Sequence, residues 1–185
     1  LPTLIAMIAT PQHPQLTPQD YFEWEAQQTL RYEYFGGEVF AMTGGSLPHA
    51  DIALNIASLL KAQVRSPCKV RNSDAKVGIS DEGPFVYPDV SVTCDDRDRT
   101  AQKFSRYPCL IVEVVSPSTE AYDRGGKFAP YRQLDSLKEY VLVSSEAKAV
   151  EVFRRSDSGA WLFIPYGEGE DIELASGGIT KRRAC

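Results

Sequence analysis

The sequence predicts an α/β domain built around a strand that is buried on both faces. Three observations carry this reading. Pro108-Cys109-Leu110-Ile111-Val112-Glu113-Val114-Val115 is apolar on both alternating faces, as an interior strand would be. Residues 48–64 repeat apolar side chains at helical spacing, with Ile52, Ile56, Leu59, Leu60 and Val64 on one face. Val150–Arg154 and Trp161–Ile164, joined across Asp157-Ser158-Gly159, form a β-hairpin pattern.

Taken in order, residues 1–16 are rich in Pro and Gln and are expected to form a flexible arm. The domain spans residues 17–175. It opens with Thr17 as N-cap, Pro18 in the first helical position and an acid in the first turn, predicting a helix to about Thr29. Arg31–Phe35 and Glu38–Met42 flank Gly36-Gly37, the signature of two strands joined by a tight turn. Gly44-Gly45-Ser46 breaks the chain, Pro48 opens the second helix and Pro67 closes it. Lys69–Ile79 reads as a strand region, Asp81-Glu82-Gly83 as a turn, and Val90–Thr93 as a further strand led by Phe85–Asp89. Residues 95–106 carry both charge signs and read as a solvated connection. A helix from about Tyr122 to Leu134 contains Pro130, which predicts a kink or a late start. Glu139–Val143 is another strand, and residues 176–185 read as a disordered tail.

Composition bounds the function. The 185 residues are 43% apolar and 24% charged, ordinary for one globular domain. A net charge of −5 argues against a generally adhesive nucleic-acid binder, while leaving room for a local basic groove. Cys68, Cys94, Cys109 and Cys185 contain no CxxC pair, which speaks against structural zinc and for reduced thiols in a cytoplasmic protein. The apolar opening Leu1–Ala9 lacks a basic leader region and is too short to span a bilayer, so no membrane association is expected.

The chemistry centres on two carboxylates. Strand alternation puts Glu113 on one face with Ile111 and Val115, inside an apolar run where an unpaired charge is costly. A cation is the usual remedy, either a basic side chain or a metal. Asp89, following Tyr87-Pro88 on the neighbouring strand, could share one hard divalent ion with Glu113. An Asp on one strand and Glu-x-Lys on the next is a common arrangement in metal-dependent nucleases, but here Val115 occupies the Lys position. An ion pair between Glu113 and a basic neighbour is the competing reading of the same residues.

In combination, RYEYFGGEVFAMTGGSLPH, YPDVSV, LIVEVVSPSTEAYDRGGKFAPYRQLDSLKEYVLV and the closing hairpin resemble the Uma-type restriction endonuclease family, a bacterial branch of the PD-(D/E)xK nuclease superfamily. The resemblance implies a restriction-endonuclease-like mixed central β-sheet flanked by α-helices. It also implies hydrolysis of DNA phosphodiester bonds with Mg²⁺ or Mn²⁺. Asp89 and Glu113 match the motif acids that hold the metal, and Lys127 matches a lysine that substitutes for the missing strand Lys. Glu38 matches an acid of the early hairpin that would join the metal site or bind a water. His49 matches a residue after the Gly-Gly-Ser turn, without a role assigned by the resemblance. Lys76, on the strand region before Asp89, is the rival lysine and is expected at the surface. A homodimer would match the two strands of a duplex. Two other classes stay open: a nuclease-fold binding or regulatory protein without catalysis, and a metal-dependent hydrolase of RNA or a small phosphorylated substrate.

Overall fold

In a computed structural model, which describes residues 15–42, 44–176 and 182–183, the local signals become elements in chain order. Helix α1, Pro18–Glu25, begins in a complete capping box: Thr17 accepts from the Asp20 amide while the Asp20 carboxylate accepts from the Thr17 amide. Strands β1 (Tyr32–Phe35) and β2 (Glu38–Ala41) follow, turning through Gly36 and Gly37 at φ 57° and 101°. Two consecutive left-handed residues suit a tight hairpin turn, and glycine reaches them without a Cβ clash. Ser46 caps α2, Leu47–Gln63, by accepting from the His49 amide. Then come β3 (Lys69–Asn72), β4 (Val77–Gly78), β5 (Phe85–Val86), β6 (Val90–Thr93) and β7 (Pro108–Val115). A π-helical segment, Tyr122–Lys127, continues directly into α3, Phe128–Tyr131. The chain closes with β8 (Glu139–Ser144), β9 (Val150–Arg155), β10 (Trp161–Tyr166), β11 (Asp171–Ile172) and β12 (Arg182–Arg183).

Six strands form the main sheet in the order β10-β9-β8-β7-β6-β3. It is mixed: β7 and β8 run parallel, and every other pairing in it is antiparallel. Alternation along β7 divides the core as the sequence implies. Ile111 and Val115 pack with Tyr131, Leu134, Tyr140 and Leu142 on one face; Leu110 and Val112 pack with Leu60, Val90, Val92 and Val141 on the other. Helix α2 covers the second face. The first is covered by α3 and by a smaller sheet, β2-β1-β5-β4, which α1 backs through Tyr21, Tyr34 and Phe85. Phe128 anchors α3 by stacking on Tyr140 at 4.9 Å and meeting Trp161 edge-on at 5.2 Å. None of the described helices is long and apolar enough to cross a membrane.

Several expectations change. Helix α1 stops at Glu25, four residues short of Thr29, because Gln27 and Gln28 tighten into i→i+3 turns. Residues 69–79 are two strands in different sheets, separated by a turn in which the Ala75 amide donates to the Asn72 carbonyl. On α2, Leu59 is exposed, since the facing sheet takes only the stripe through Ile56 and Leu60. The charged connection is not wholly solvated: Asp98 is buried and accepts from the Thr93 hydroxyl and the amides of Arg106 and Tyr107. Proline at 130 has no N–H for the Gly126 carbonyl, and the turns before it widen to π-helical, so a regular α-turn starts only at Phe128.

The reading of wholly reduced thiols is also corrected. Pairing of Lys69 with Thr93 sets Cys68 directly opposite Cys94, and the two form a disulfide. Cys109 remains free, its Sγ 3.8 Å from that of Cys94, and burial pushes its thiol up to about 11. At the chain ends, the arm 1–16 lies outside the described residues except for Gln15 and Leu16, where Leu16 donates to the Gly37 carbonyl. Of the expected tail 176–185, Ser176 is buried against the Glu139 carboxylate and Arg182–Arg183 pair with β11. Residues 177–181 and 184–185 lie outside the described residues.

Candidate active site

Antiparallel pairing of β6 with β7 sets Val90 opposite Val112, so the residue before β6 meets the residues after Val112. Asp89 therefore reaches Glu113 and Val114. Its Oδ2 accepts from the Val114 amide at 2.7 Å, and its own amide donates to Glu113 Oε2 at 3.3 Å. The pair is stitched through the main chain, which fixes both carboxylates without a basic side chain between them.

Glu113 is 2% exposed, and its Oε1 accepts two hydrogen bonds, from Lys127 Nζ at 3.3 Å and from the Tyr131 hydroxyl at 3.1 Å. Lys127 arrives from the π-helical segment over the first face of the sheet, where Glu113 points. Besides Glu113 it lies 3.2 Å from Glu33 Oε1 and 3.8 Å from Asp123 Oδ1. Glu33 in turn accepts from the Tyr87 amide and the Tyr122 hydroxyl, both at 3.1 Å. At the more exposed end of the cluster, His49 Nε2 sits 3.0 Å from Asp89 Oδ1. Helix α2 delivers it from the turn after Ser46.

Three carboxylates (Glu33, Glu113 and Asp123) surround the Lys127 ammonium, and Asp89 adjoins them beside His49. Burial raises Glu113 well above the ordinary carboxylate range; Lys127 opposes this, while Asp89, Asp123 and Glu33 add to it. Burial likewise raises Asp123. Burial works against the Lys127 charge, but Glu113, Glu33 and Asp123 outweigh it and hold the ammonium protonated far past its usual range. The hydrogen bond to Asp89 raises His49, against burial.

The structure thus brings Asp89, Glu113, Lys127 and His49 together. Glu38 is not among them. Glu38 stands beside the hairpin turn, in register with Phe35, and is exposed. The acid the hairpin contributes is Glu33, on the buried strand β1. An acid bracketed by aromatics in Tyr32-Glu33-Tyr34 was a usable sequence signal, as was the i,i+4 spacing of Asp123 and Lys127. Lys76 is not at the surface either. It is buried, ion-paired with Glu25, and separate from the Glu113 cluster. Its placement follows from α1, which closes over the turn that carries it.

A family model described as "Putative restriction endonuclease", Uma2, matches residues 18–179. The chain belongs to the Uma2 family. Two relatives come from Synechocystis sp. strain PCC 6803. The uncharacterized protein slr1290 is 42% identical over 178 residues, covering 96% of this chain and 94% of its own. The uncharacterized protein sll1609 is 30% identical over 164 residues, covering 86% and 93%. Among solved structures, the crystal structure of a putative nuclease belonging to DUF820, from Anabaena variabilis, superposes with a TM-score of 0.70 over 88% of this chain and 91% of that one. At 15% identity that likeness concerns the fold, which is restriction-endonuclease-like in this Uma2 chain as well.

As a metal site, the donor set is carboxylate-rich but compact. Among the described residues no three His, Cys, Asp or Glu side chains are arranged as a ready ligand cage. Mg²⁺ does not need one, since it retains several waters and binds through one or two carboxylates. Asp89 and Glu113, held side by side amid uncompensated negative charge, fit that mode of binding.

Proposed function

We propose that this Uma2 protein is a nuclease that hydrolyses DNA phosphodiester bonds with Mg²⁺ or Mn²⁺ held by Asp89 and Glu113, helped by the Val114 carbonyl. The observation that carries the reading is Lys127 Nζ, 3.3 Å from Glu113 Oε1. The sequence lacks a lysine two residues after Glu113, and the π-helical segment supplies an ammonium from elsewhere in the chain. When bound, the metal supplies Lewis acidity, polarising the phosphoryl oxygen and acidifying water. The remaining work falls to the chain. The Val114 amide holds Asp89 in orientation, and the Tyr131 hydroxyl does the same for Glu113. Lys127 stays charged under its three acids and offsets negative charge that develops on the phosphate, or holds the attacking water in line. His49 holds Asp89 Oδ1 through its Nε2.

The test is calorimetric titration of Mn²⁺ alongside cleavage of matched DNA and RNA duplexes. Asp89→Asn and Glu113→Gln keep shape and remove charge, so both are expected to abolish divalent-ion binding and cleavage while staying folded. Undiminished Mn²⁺ affinity in both variants would refute the assignment. Cleavage of RNA but not DNA would move the reading to an RNA hydrolase, and metal binding without cleavage of either to a binding protein on a nuclease fold.

A further inference from the structure

A cleft of about 600 Å³ opens between α2, the edge strand β3 and residues 101–105, apart from the Glu113 cluster. Its lining opposes the net charge of the molecule. Lys61, Arg71 and Lys103 border it, and among the described residues none of the three is ion-paired, although the chain carries −5 overall. The acid on its wall, Asp74, is already engaged by Arg31 and Asn72. Two buried donors of lining residues lack any partner among the described residues: the hydroxyl of Ser105, which is 3% exposed, and Nε of Arg71. The Arg71 guanidinium is held in place through Nη2, which donates to the Asp98 carbonyl at 2.8 Å. The Ser105 hydroxyl and Arg71 Nε lie behind the lining, whereas a partly open cleft bordered by three cations without ion-pair partners is matched to an anionic ligand rich in acceptor oxygens.

The position of the cleft narrows the ligand. Helix α2 starts at the Glu113 centre, where His49 meets Asp89, and its residues Leu54, Ala57, Ser58 and Lys61 then line the cleft. At about 1.5 Å per residue, Leu54 and Lys61 lie roughly 8 and 18 Å along the helix from His49. On β3, Asn72 pairs with Val90, next to Asp89, so the cleft's near end adjoins the centre. With one phosphate per roughly 3.4 Å of axis on each strand, that span corresponds to a few nucleotides beside the reacting bond.

We infer that this cleft is a backbone groove that binds the phosphodiester chain of a nucleic-acid strand running from the Glu113 centre, with Lys61, Arg71 and Lys103 as its electrostatic contacts. The inference rests on the nuclease reading for its direction, but the groove binds independently of metal and of cleavage.

The experiment is fluorescence anisotropy in EDTA with labelled 12-nucleotide single strands, DNA and RNA as separate arms, across a salt series. Lys61→Ala/Lys103→Ala, with both side chains exposed and outside the Glu113 cluster, is expected to weaken binding about tenfold. The log Kd against log salt slope should fall by roughly 1.4, two contacts at about 0.7 each on a single strand. The two arms tell which backbone is taken. Hydrolysis of bis(p-nitrophenyl) phosphate with Mn²⁺, a substrate too small to reach the lysines, is expected to be unchanged. An unaltered Kd and salt slope in the double variant, or no binding by the wild type, overturns the groove even where the small ester is hydrolysed. Lysine-dependent binding by a protein that leaves the small ester intact supports the groove and counts against the nuclease reading instead.

Discussion

Two lysines in this chain are each 7% exposed, and they are buried in opposite ways. Lys76 has one carboxylate partner, Glu25, and an aromatic enclosure: Tyr21, Phe22 and Tyr87 ring centres lie 4.5, 4.7 and 5.2 Å from its Nζ. Glu25 is satisfied in turn by the Tyr87 hydroxyl at 2.8 Å and the Tyr32 amide at 3.1 Å. Charges balance one to one, burial dominates, and the Lys76 ammonium is pulled below its usual range. Lys127 faces three acids, and there the acids dominate. A balanced buried pair is a packing solution; an unbalanced one is set up to receive something positive. The contrast explains why the sequence could offer either lysine as catalytic while the fold favours one.

The largest expected effect separates the two by truncation. Lys127→Met should lower kcat by about 10²–10⁴, the scale of a lost transition-state contact, with KM little changed. Lys76→Met should leave turnover within a few-fold but cost about 3–5 kcal/mol in urea unfolding, because Glu25 is stranded without its cation. Removing both partners, Lys76→Met with Glu25→Leu, should recover most of that loss. An inactive Lys76→Met together with a fully active Lys127→Met would reverse the assignment.

A second contrast appears with pH in the absence of divalent ions. Burial raises the Glu113 carboxyl above its ordinary 4.5, so the folded state holds that proton more tightly than the unfolded chain does. Its contribution to stability is therefore greatest below the ordinary value and declines as pH rises toward the raised folded value. Asp123 acts in the same direction from 3.8. In EDTA, the Tm of Glu113→Gln should accordingly gain on the wild type as pH rises above the ordinary 4.5. Parallel wild-type and Glu113→Gln melting curves would mean the cluster is electrically balanced after all.

The smallest effect tests how Lys127 is presented. A Cβ on Gly126 would come within 2.6–2.7 Å of the Tyr122 ring, whereas one on Gly125 would meet open space. Gly126→Ala should displace Tyr122 from Glu33 and reduce activity several-fold, and Gly125→Ala should not. Equal activities in the two variants would show that the ring adapts without moving the site.

How much was legible beforehand differs by range. The Thr17 capping box, the Gly36-Gly37 hairpin and the two-faced apolar run of β7 are short-range patterns, and the sequence alone determined them. It also determined that Glu113 sits on the same face as Ile111 and Val115, since alternation is a property of the strand itself. Lys127 entered through the family resemblance, and only the tertiary structure brought its Nζ against Glu113. Register and packing likewise decided that Glu33 rather than Glu38 joins the cluster, that Lys76 lies under α1, and that Cys68 meets Cys94. Local periodicity and capping act over a few residues and leave a trace in the chain. Pairings across 26 residues, as for the cysteines, or 80, from Glu33 to Glu113, depend on how whole elements dock, and no single segment encodes that.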